Sequence, residues 1–483
     1  MGLSTLDLFL VGAYLVGVTA FGLHFRRSQH SIKDYFLAGG RLPWWAISFS
    51  IVCAETSILT LISTPGIGYT SNLHFLQLVL GYLIARFLVS FILIPRYFAG
   101  RVQTAYQLIE QRFGGPLKVF TAGLFLLTRS IAEGIRVFAI SIVLDIILDT
   151  NVFVAVVLVT LLTVVYTFAG GMAAVVWTDV LQMVLYLGGT LVALALILSD
   201  IPGGWSEVVS LAQSNGDKLS LFDFHFNFQE PYLFWAGLIG GIFLSSASHG
   251  TDQLIVQRLL AARSERESKM ALIMSGVIVF LQFGLFLIVG VALFAYFHHF
   301  PPSMEFDRPD QVFPYFVVHH LPTGLVGLMV AAMLATAMST SSAALNSLAS
   351  SSIHDFYKAF IRPDADEKHY LRMSRLVTLG WGAVIIGFAL GAQYFERSVL
   401  ELALSVASVP YGSLLGIFLL GVLSKTASAR NTFIGALAGL AVLSTVMLFT
   451  EVAWTWYTAI GATTTFLCGM ALTRWEAHSR SAA

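Results

Sequence analysis

Charge is what this chain has least of. Asp, Glu, Lys and Arg make up 11% of 483 residues, against roughly 25% in a soluble protein. Hydrophobic residues make up 57%, and the mean hydropathy is +0.79. Those values exclude a water-soluble globular protein and leave a polytopic membrane protein. Acidic and basic residues balance at 27 each, so net charge points to no oppositely charged partner. Cysteine is nearly absent: Cys53 and Cys468 both sit in apolar segments, which excludes a disulfide framework. No zinc-ligand cluster, Walker loop, nucleophile motif or nucleic-acid signature is present, and no catalytic residue is assigned. The pairs His298-His299 and His319-His320 fit either a metal or a solvated loop face. No basic stretch precedes the first apolar run, and Arg26 and Arg27 follow it, as in a retained helix and not a cleaved signal.

What the chain has is apolar length. At about 20 residues per crossing, the sequence predicts thirteen transmembrane helices. They lie near 5–24, 45–64, 74–98, 119–148, 152–169, 173–199, 232–257, 270–297, 321–353, 373–392, 398–423, 431–450 and 453–472. Charge supports an odd count with the N-terminus outside and the C-terminus cytoplasmic, because cytoplasmic loops collect Lys and Arg. On that topology only Lys218, Arg308 and Arg397 fall outside, and Arg86, Arg129 and Arg136 fall within spans. The rest of the 27 basic residues are inside or at inside edges. The outer loops carry Asp200, Glu207, Asp217, Asp223, Glu230, Glu305, Asp307 and Asp310. The expected setting is the lipid bilayer of a bacterial-type inner or plasma membrane. The outer loops 200–231 and 298–320 could form short interfacial helices or lids.

Polar groups inside a bilayer are expensive, so each is a functional candidate. The second span reads Ser48-Phe49-Ser50-Ile51-Val52-Cys53-Ala54-Glu55-Thr56-Ser57, and the seventh contains Ser245-Ser246-Ala247-Ser248-His249-Gly250-Thr251-Asp252-Gln253, with Gly250 the expected point of unwinding. Counted from the second span they are the first and sixth members. Interrupted helices at matching positions of two five-helix halves point to a transporter's midplane site; the alternative is two helices that each carry polar residues. Arg129, Glu133 and Arg136 share one face of the fourth span and could form a buried Arg-Glu-Arg cluster or touch substrate. Asp179 has no cation within a turn on its own helix, which makes it a candidate cation ligand or proton carrier. The stretch Ala335-Thr336-Ala337-Met338-Ser339-Thr340-Ser341-Ser342-Ala343-Ala344-Leu345-Asn346 is crowded with hydroxyls and poor in bulk. It suits close helix packing, or a small hard cation held by hydroxyl and carbonyl oxygens.

Four stretches resemble the sodium:solute symporters, the family of sodium/glucose, sodium/proline and sodium/iodide carriers. They are Asp34-Tyr35-Phe36-Leu37-Ala38-Gly39-Gly40-Arg41, the run from Gly170-Gly171 through Trp177-Thr178-Asp179-Val180-Leu181-Gln182, the run from Gly250-Thr251-Asp252-Gln253 to Gln257-Arg258, and the Ser339-Thr340 stretch. The resemblance implies an all-α leucine-transporter-type fold in a single transmembrane domain, 1–483. A first helix at 5–24 would precede a five-helix repeat at 45–199 and an inverted one at 232–423, with two more helices at 431–472. It implies a sodium ion bound by backbone carbonyls of Phe49, Val52 and Thr336 and hydroxyls of Ser339 and Thr340. A second sodium would fall on Asp179, Ser339, Ser342 and position 343, where Ala343 leaves one oxygen missing. The implied substrate residues are Cys53, Glu55, Thr56, Ser245, Ser248 and His249, with Tyr82 on the next helix. The amide that glucose carriers place beside the glutamate is Thr56 here, which speaks against a glucose-type solute. Glu55 and His249 could also pair only with each other.

The expected function is secondary active transport, in which inward sodium movement drives uptake of a small polar solute: a sugar, carboxylate, amino acid or vitamin. A proton-coupled carrier with Asp179 or Glu55 titrating is the alternative, followed by a passive channel or sensor.

Overall fold

The computed structural model describes residues 3–148, 152–306, 308–392 and 399–482; Asp307 and Arg397 of the expected outer loops lie outside the described residues. The main helices are α1 (Thr5–His24), α2 (Trp44–Glu55), α3 (Ile58–Thr70), α4 (Phe75–Ile92), α5 (Gly115–Leu148), α6 (Val152–Asp200) and α7 (Phe234–Gly250). They continue with α8 (Gln253–Leu260), α9 (Glu265–His299), α10 (Leu325–Ser351), α11 (Glu367–Ala392), α12 (Val399–Leu423), α13 (Ala429–Phe449) and α14 (Tyr457–Ala482). Among the described residues there is no strand, only one isolated bridge between Leu42 and Ala262. Among the described residues seven helices are long and apolar enough to cross a bilayer, eight if one bent pair counts as a span. Phe91, Leu281 and Phe449 stand more than half exposed on the outside of the bundle, as side chains facing lipid do.

Two expected spans are broken in two. After Glu55 the backbone turns extended at Thr56 (φ −78°, ψ 102°). Ser57 then caps α3 by accepting from the Thr60 amide, and the pair is bent by 67°. Between α7 and α8 the break falls at Thr251 and Asp252, the latter extended at φ −84°, ψ 124°. Gly250, expected to be where the helix unwinds, is helical. Its lack of a side chain serves packing, since a Cβ there would stand 2.6 Å from Leu93 Cδ1. Two other expected spans, 152–169 and 173–199, run together as α6, kinked at Gly171 (φ 54°, ψ −148°).

The motif stretches meet in one buried knot. Gln257 Nε2 in α8 donates to the Phe36 carbonyl (2.8 Å) and to Asn346 Oδ1 in α10 (2.6 Å). The buried Tyr35 hydroxyl reaches the Thr167 and Phe168 carbonyls (3.3 Å each), just before the kink. A Cβ on Gly171 would come 2.4 Å from the Tyr35 carbonyl oxygen, so close approach and positive φ both demand glycine. Almost all of α10 is buried, because its small side chains let α6, α5 and α1 close around it. Asp7 of α1 accepts from the Gly324 and Gly327 amides (2.8 Å each) at the start of α10, which ties the first helix to the core.

Candidate functional site

The two breaks leave a cavity of about 180 Å³. Glu55, at the end of α2, lies on one side; Ser245, Ser248 and His249 of α7 and Tyr82 of α4 lie on the others. These five are expected substrate residues. Cys53 and Thr56 are not in the lining. Cys53 is fully buried. Thr56 Oγ1 donates to the Val52 carbonyl (2.8 Å) and accepts from Gln282 Nε2 (2.8 Å), whose Oε1 takes the Tyr186 hydroxyl (3.0 Å). The extended backbone at the break turns Thr56 toward α9, away from the cavity. Asp252, Thr128, Tyr411 and Trp454 also line it and were not expected there. Asp252 and Tyr411 could have been flagged as polar groups inside apolar runs; which way they face has no local signal.

The charges in and around this cavity are paired across helices. Glu55 meets Arg86 of α4 and, at 3.4 Å, His249 Nε2; it therefore does not pair with His249 alone. Arg86 also donates to Ser275 Oγ of α9 (2.7 Å), and His249 Nδ1 lies 2.9 Å from Ser248 Oγ. The Arg129-Glu133-Arg136 cluster forms only in part. Arg129 pairs with Asp252 at the second break and reaches the Tyr411 hydroxyl (3.0 Å), which itself donates to Asp252 (2.7 Å). Glu133 accepts from Ser341 Oγ of α10 (2.7 Å) and lies 3.8 Å from Arg136 Nη1. A shared helix face brings these three near one another, but a shorter contact from another helix takes Arg129. Arg136 is left on the cavity wall with its side chain 27% exposed.

Behind the cavity lies the hydroxyl-rich part of α10. Ser339 Oγ donates to Asp179 Oδ1 (2.7 Å), and Ser50 Oγ of α2 donates to Oδ2 (2.5 Å). Arg258 of α8, placed inside the cytoplasmic loop by the charge count, is instead fully buried and pairs with Asp179 at 3.1 Å. The reading of Asp179 as lacking a cation is thus corrected: its partner comes from another helix. Thr340 Oγ1 donates to the Ala337 and Thr336 carbonyls (3.0 and 3.3 Å). Ser342 Oγ turns back to the Ser339 carbonyl (2.9 Å), and Ala343 presents a buried methyl. Ser339 and Thr340 have therefore committed their hydrogens and keep oxygen lone pairs, the donor set a hard cation takes. The Val52 carbonyl, which accepts from Thr56 at the end of α2, and the carbonyl of Phe49 one turn earlier come from the broken helix.

Of the paired histidines of the outer region, His319 and His320 pack against aromatic rings. His319 stacks on Tyr315 at 4.2 Å and His320 on Phe316 at 5.9 Å, while His299 Nε2 lies 3.3 Å from Glu207.

Residues 35–440 match the sodium:solute symporter family. A sodium/sialic acid symporter of Aliivibrio fischeri is 29% identical over 96% of this chain and 92% of its own. The human sodium/iodide cotransporter is 29% identical over 86% of this chain and 65% of its own. The structure of a sodium-coupled sialic acid symporter in a substrate-bound outward-open state superposes with a TM-score of 0.90 at 26% identity, covering 98% of both chains. With the match running through both breaks and the hydroxyl-rich helix, the chain belongs to the sodium:solute symporter family, a membrane-embedded carrier that couples sodium to secondary active transport of a solute and not an enzyme.

Proposed function

We propose that this carrier takes up a small anion together with sodium. The observation that carries the choice of an anion is Arg136. Arg86 and Arg129 are each held by a carboxylate in close contact and by a hydroxyl, whereas the Arg136 guanidinium stands on the cavity wall with Glu133 at 3.8 Å as its ion-pair partner. A partly free guanidinium in a low-dielectric cavity recruits a negative group. The named cargoes of two relatives, sialic acid and iodide, are anions as well. Glu55, Tyr82, Ser245, Ser248 and His249 would hold the rest of the solute.

Sodium would sit between α2 and α10, on the carbonyls of Phe49, Val52 and Thr336 and the hydroxyls of Ser339 and Thr340. An ion there joins the broken helix that ends at Glu55 to the hydroxyl-lined helix. It prearranges the cavity, so the solute binds more tightly and by reciprocity tightens sodium. The architecture that goes with this reading has thirteen spans in one domain, with the N-terminus outside and the C-terminus cytoplasmic. Two five-helix repeats at 45–199 and 232–423 are inverted about the midplane, between the helix at 5–24 and the pair at 431–472.

The test is a thermal-shift screen of the purified protein against iodide, lactate, sialic acid and glucose, in sodium and in potassium. Stabilisation by an anion in sodium only is the expected result. Arg136→Gln should weaken that anion by about 1.5–3 kcal/mol, the worth of a hydrogen bond to a charged group, or roughly 10- to 150-fold. Stabilisation by glucose alone, or equally in potassium, refutes the reading.

A further inference from the structure

We propose that the seam between α4 and α12 binds one anionic phospholipid of the cytoplasmic leaflet, its chain in an apolar crevice and its phosphate on Arg96 and Arg112. Two cavities stack along this seam, both apart from the solute cavity. The first, about 140 Å³, is lined by Leu88 and Ile92 of α4, Phe243 of α7 and Leu415 and Leu419 of α12, and Ser246 is the one polar residue in its lining. The second, about 170 Å³, is lined by Arg96, Leu108, Gln111, Arg112, Gly421 and Val422. They adjoin on both sides of the seam. The Ile92 carbonyl accepts from Arg96 Nη1 (2.5 Å), and on α12 Leu419 of the crevice is followed by Gly421 and Val422 of the pocket. The α4 span runs on to Gly100. At 1.5 Å per residue, Leu88 to Arg96 covers about 12 Å, most of one leaflet of a hydrocarbon core about 30 Å thick.

The pocket lies at the end of the bundle that collects Lys and Arg, cytoplasmic in the proposed topology. Among the described residues neither arginine pairs with a carboxylate. Arg112 Nη2 donates to the Ser424 and Ala427 carbonyls (3.0 and 3.1 Å), and nearby Glu110 is held by Lys118 (2.8 Å). A guanidinium has five N–H donors, so both keep donors for phosphate oxygens. Arg101 and Lys425 stand exposed just beyond the ends of the same two spans and add positive charge. A Cβ on Gly421 would stand 3.2 Å from Phe113 Cε2 and 3.7 Å from Arg112 Cγ, so the missing side chain leaves room beside the arginine. Leu88, Phe91 and Leu423 are exposed on the same two spans, which makes the seam continuous with the lipid-facing surface. A dissolved anion would fill the pocket and leave the crevice bare, whereas a phospholipid covers both. Tyr411, Leu415 and Leu419 follow at four-residue steps on one face of α12. The chain of the lipid therefore lies next to the wall of the solute cavity, to which Tyr411 belongs.

Native mass spectrometry of the purified full-length protein, titrated with dioleoyl phosphatidylglycerol or dioleoyl phosphatidylcholine, tests this. One phosphatidylglycerol per chain, bound roughly tenfold or more tighter than phosphatidylcholine, is expected. Arg96 bonds a carbonyl of its own span, so Arg96→Gln leaves the packing in place. It should weaken phosphatidylglycerol about fivefold, the worth of one basic residue near an anionic surface. Lys368→Gln removes an exposed cation outside the pocket and should change nothing. Equal binding of the two lipids, or an equal loss in the two variants, overturns the proposal. Displacement of the lipid by an equimolar amount of glycerol 3-phosphate would make the pocket a site for a dissolved anion and overturns the role given to the crevice.

Discussion

Asp252→Asn separates charge from geometry at the second helix break. Asp252 and Arg129 are both buried, with side-chain exposures of 2% and 9%. Asp252 also caps α8, its Oδ1 accepting from the Leu254 amide (2.9 Å), and takes the Tyr411 hydroxyl (2.7 Å). Asparagine keeps an oxygen for the cap, where Asn and Asp serve about equally, so the substitution spares the cap and withdraws the charge together with the Oδ2 acceptor shared by Arg129 and Tyr411. Arg129 stays ionised and loses its counter-charge. Removing one partner of a buried pair costs about 3–5 kcal/mol, and because both residues border the cavity, where water enters, the lower end applies. Against a total stability of about 5–15 kcal/mol, about 3 kcal/mol is a large loss. The assay is equilibrium unfolding in mixed detergent micelles, followed by tryptophan fluorescence. Arg129→Met alone should cost a comparable amount, and Arg129→Met with Asp252→Asn should cost less than the two singles added, since neither then leaves a bare charge. Single-variant costs below about 0.5 kcal/mol, the range of an ordinary surface change, or strict additivity in the double variant, would refute a desolvated pair.

Other outcomes follow from the same contacts. Ser339→Ala removes a hydroxyl that donates to Asp179 (2.7 Å) and should weaken sodium binding roughly 10-fold or more. Ser342→Ala, whose hydroxyl donates to a carbonyl of its own helix, should shift it less than about threefold; equal effects in sodium titrations would contradict the assignment. Gly171→Ala forces a side chain into φ 54°, ψ −148° and onto the Tyr35 carbonyl, costing about 3 kcal/mol or more. Gly188→Ala, with open space around it, should be neutral or slightly stabilising; melting temperatures compare the two. Burial lowers the His320 imidazole from its ordinary value of 6.5, so the folded state prefers it neutral while the unfolded chain protonates first. The outer helix Val312–His320 should therefore hold its full stability above pH 6.5 and lose part of it as pH falls through the lowered folded value. Hydrogen exchange of 312–320 at acid and neutral pH reads this, and His320→Gln should flatten the difference.

Much of this molecule could be read from short-range pattern. Hydropathy and charge sparsity placed the chain in a bilayer, and the run around Ser339 and Thr340 stood out because hydroxyls are costly there. Polar residues in two apolar stretches marked both broken helices, and Gly250 lay within two residues of the second break. The charge pairs were another matter. Asp179 and Arg258 are 79 residues apart, Glu55 and Arg86 are 31 apart, and Arg129 and Asp252 are 123 apart. Helical periodicity relates a residue only to its neighbours three or four positions away, so it assigned Arg129 to Glu133 and left Asp179 without a cation. Arg258 was lost for a further reason. It follows the apolar run and looks like a loop arginine, yet α8 continues inward far enough to bury it completely. Thr56 failed as a cavity residue because alternation at a break is set by the extended backbone (ψ 102°) and not by helical phase.

Apart from Arg136–Glu133 within α5, the arginine–carboxylate pairs described above share one property that bears on how a carrier can move. Each joins a broken helix to another helix: Glu55 of α2 to Arg86 of α4, Asp252 at the second break to Arg129 of α5, and Arg258 of α8 to Asp179 of α6. Interdigitated apolar packing holds only one fit and resists sliding. A charge pair weakens gradually with distance, so the broken segments can tilt against their partners without meeting a wall. Full separation would strand a bare charge, so the pairs permit rocking and forbid detachment. Between α2 and α10 the arrangement differs. The polar path there runs from Ser50 through Asp179 to Ser339, with Arg258 anchored on Ser50 and Asp179, whereas the oxygens of the proposed sodium site are neutral and keep lone pairs. On that proposal an ion from outside would bridge α2 and α10 directly, and this would be the joint through which a sodium gradient acts on the cavity.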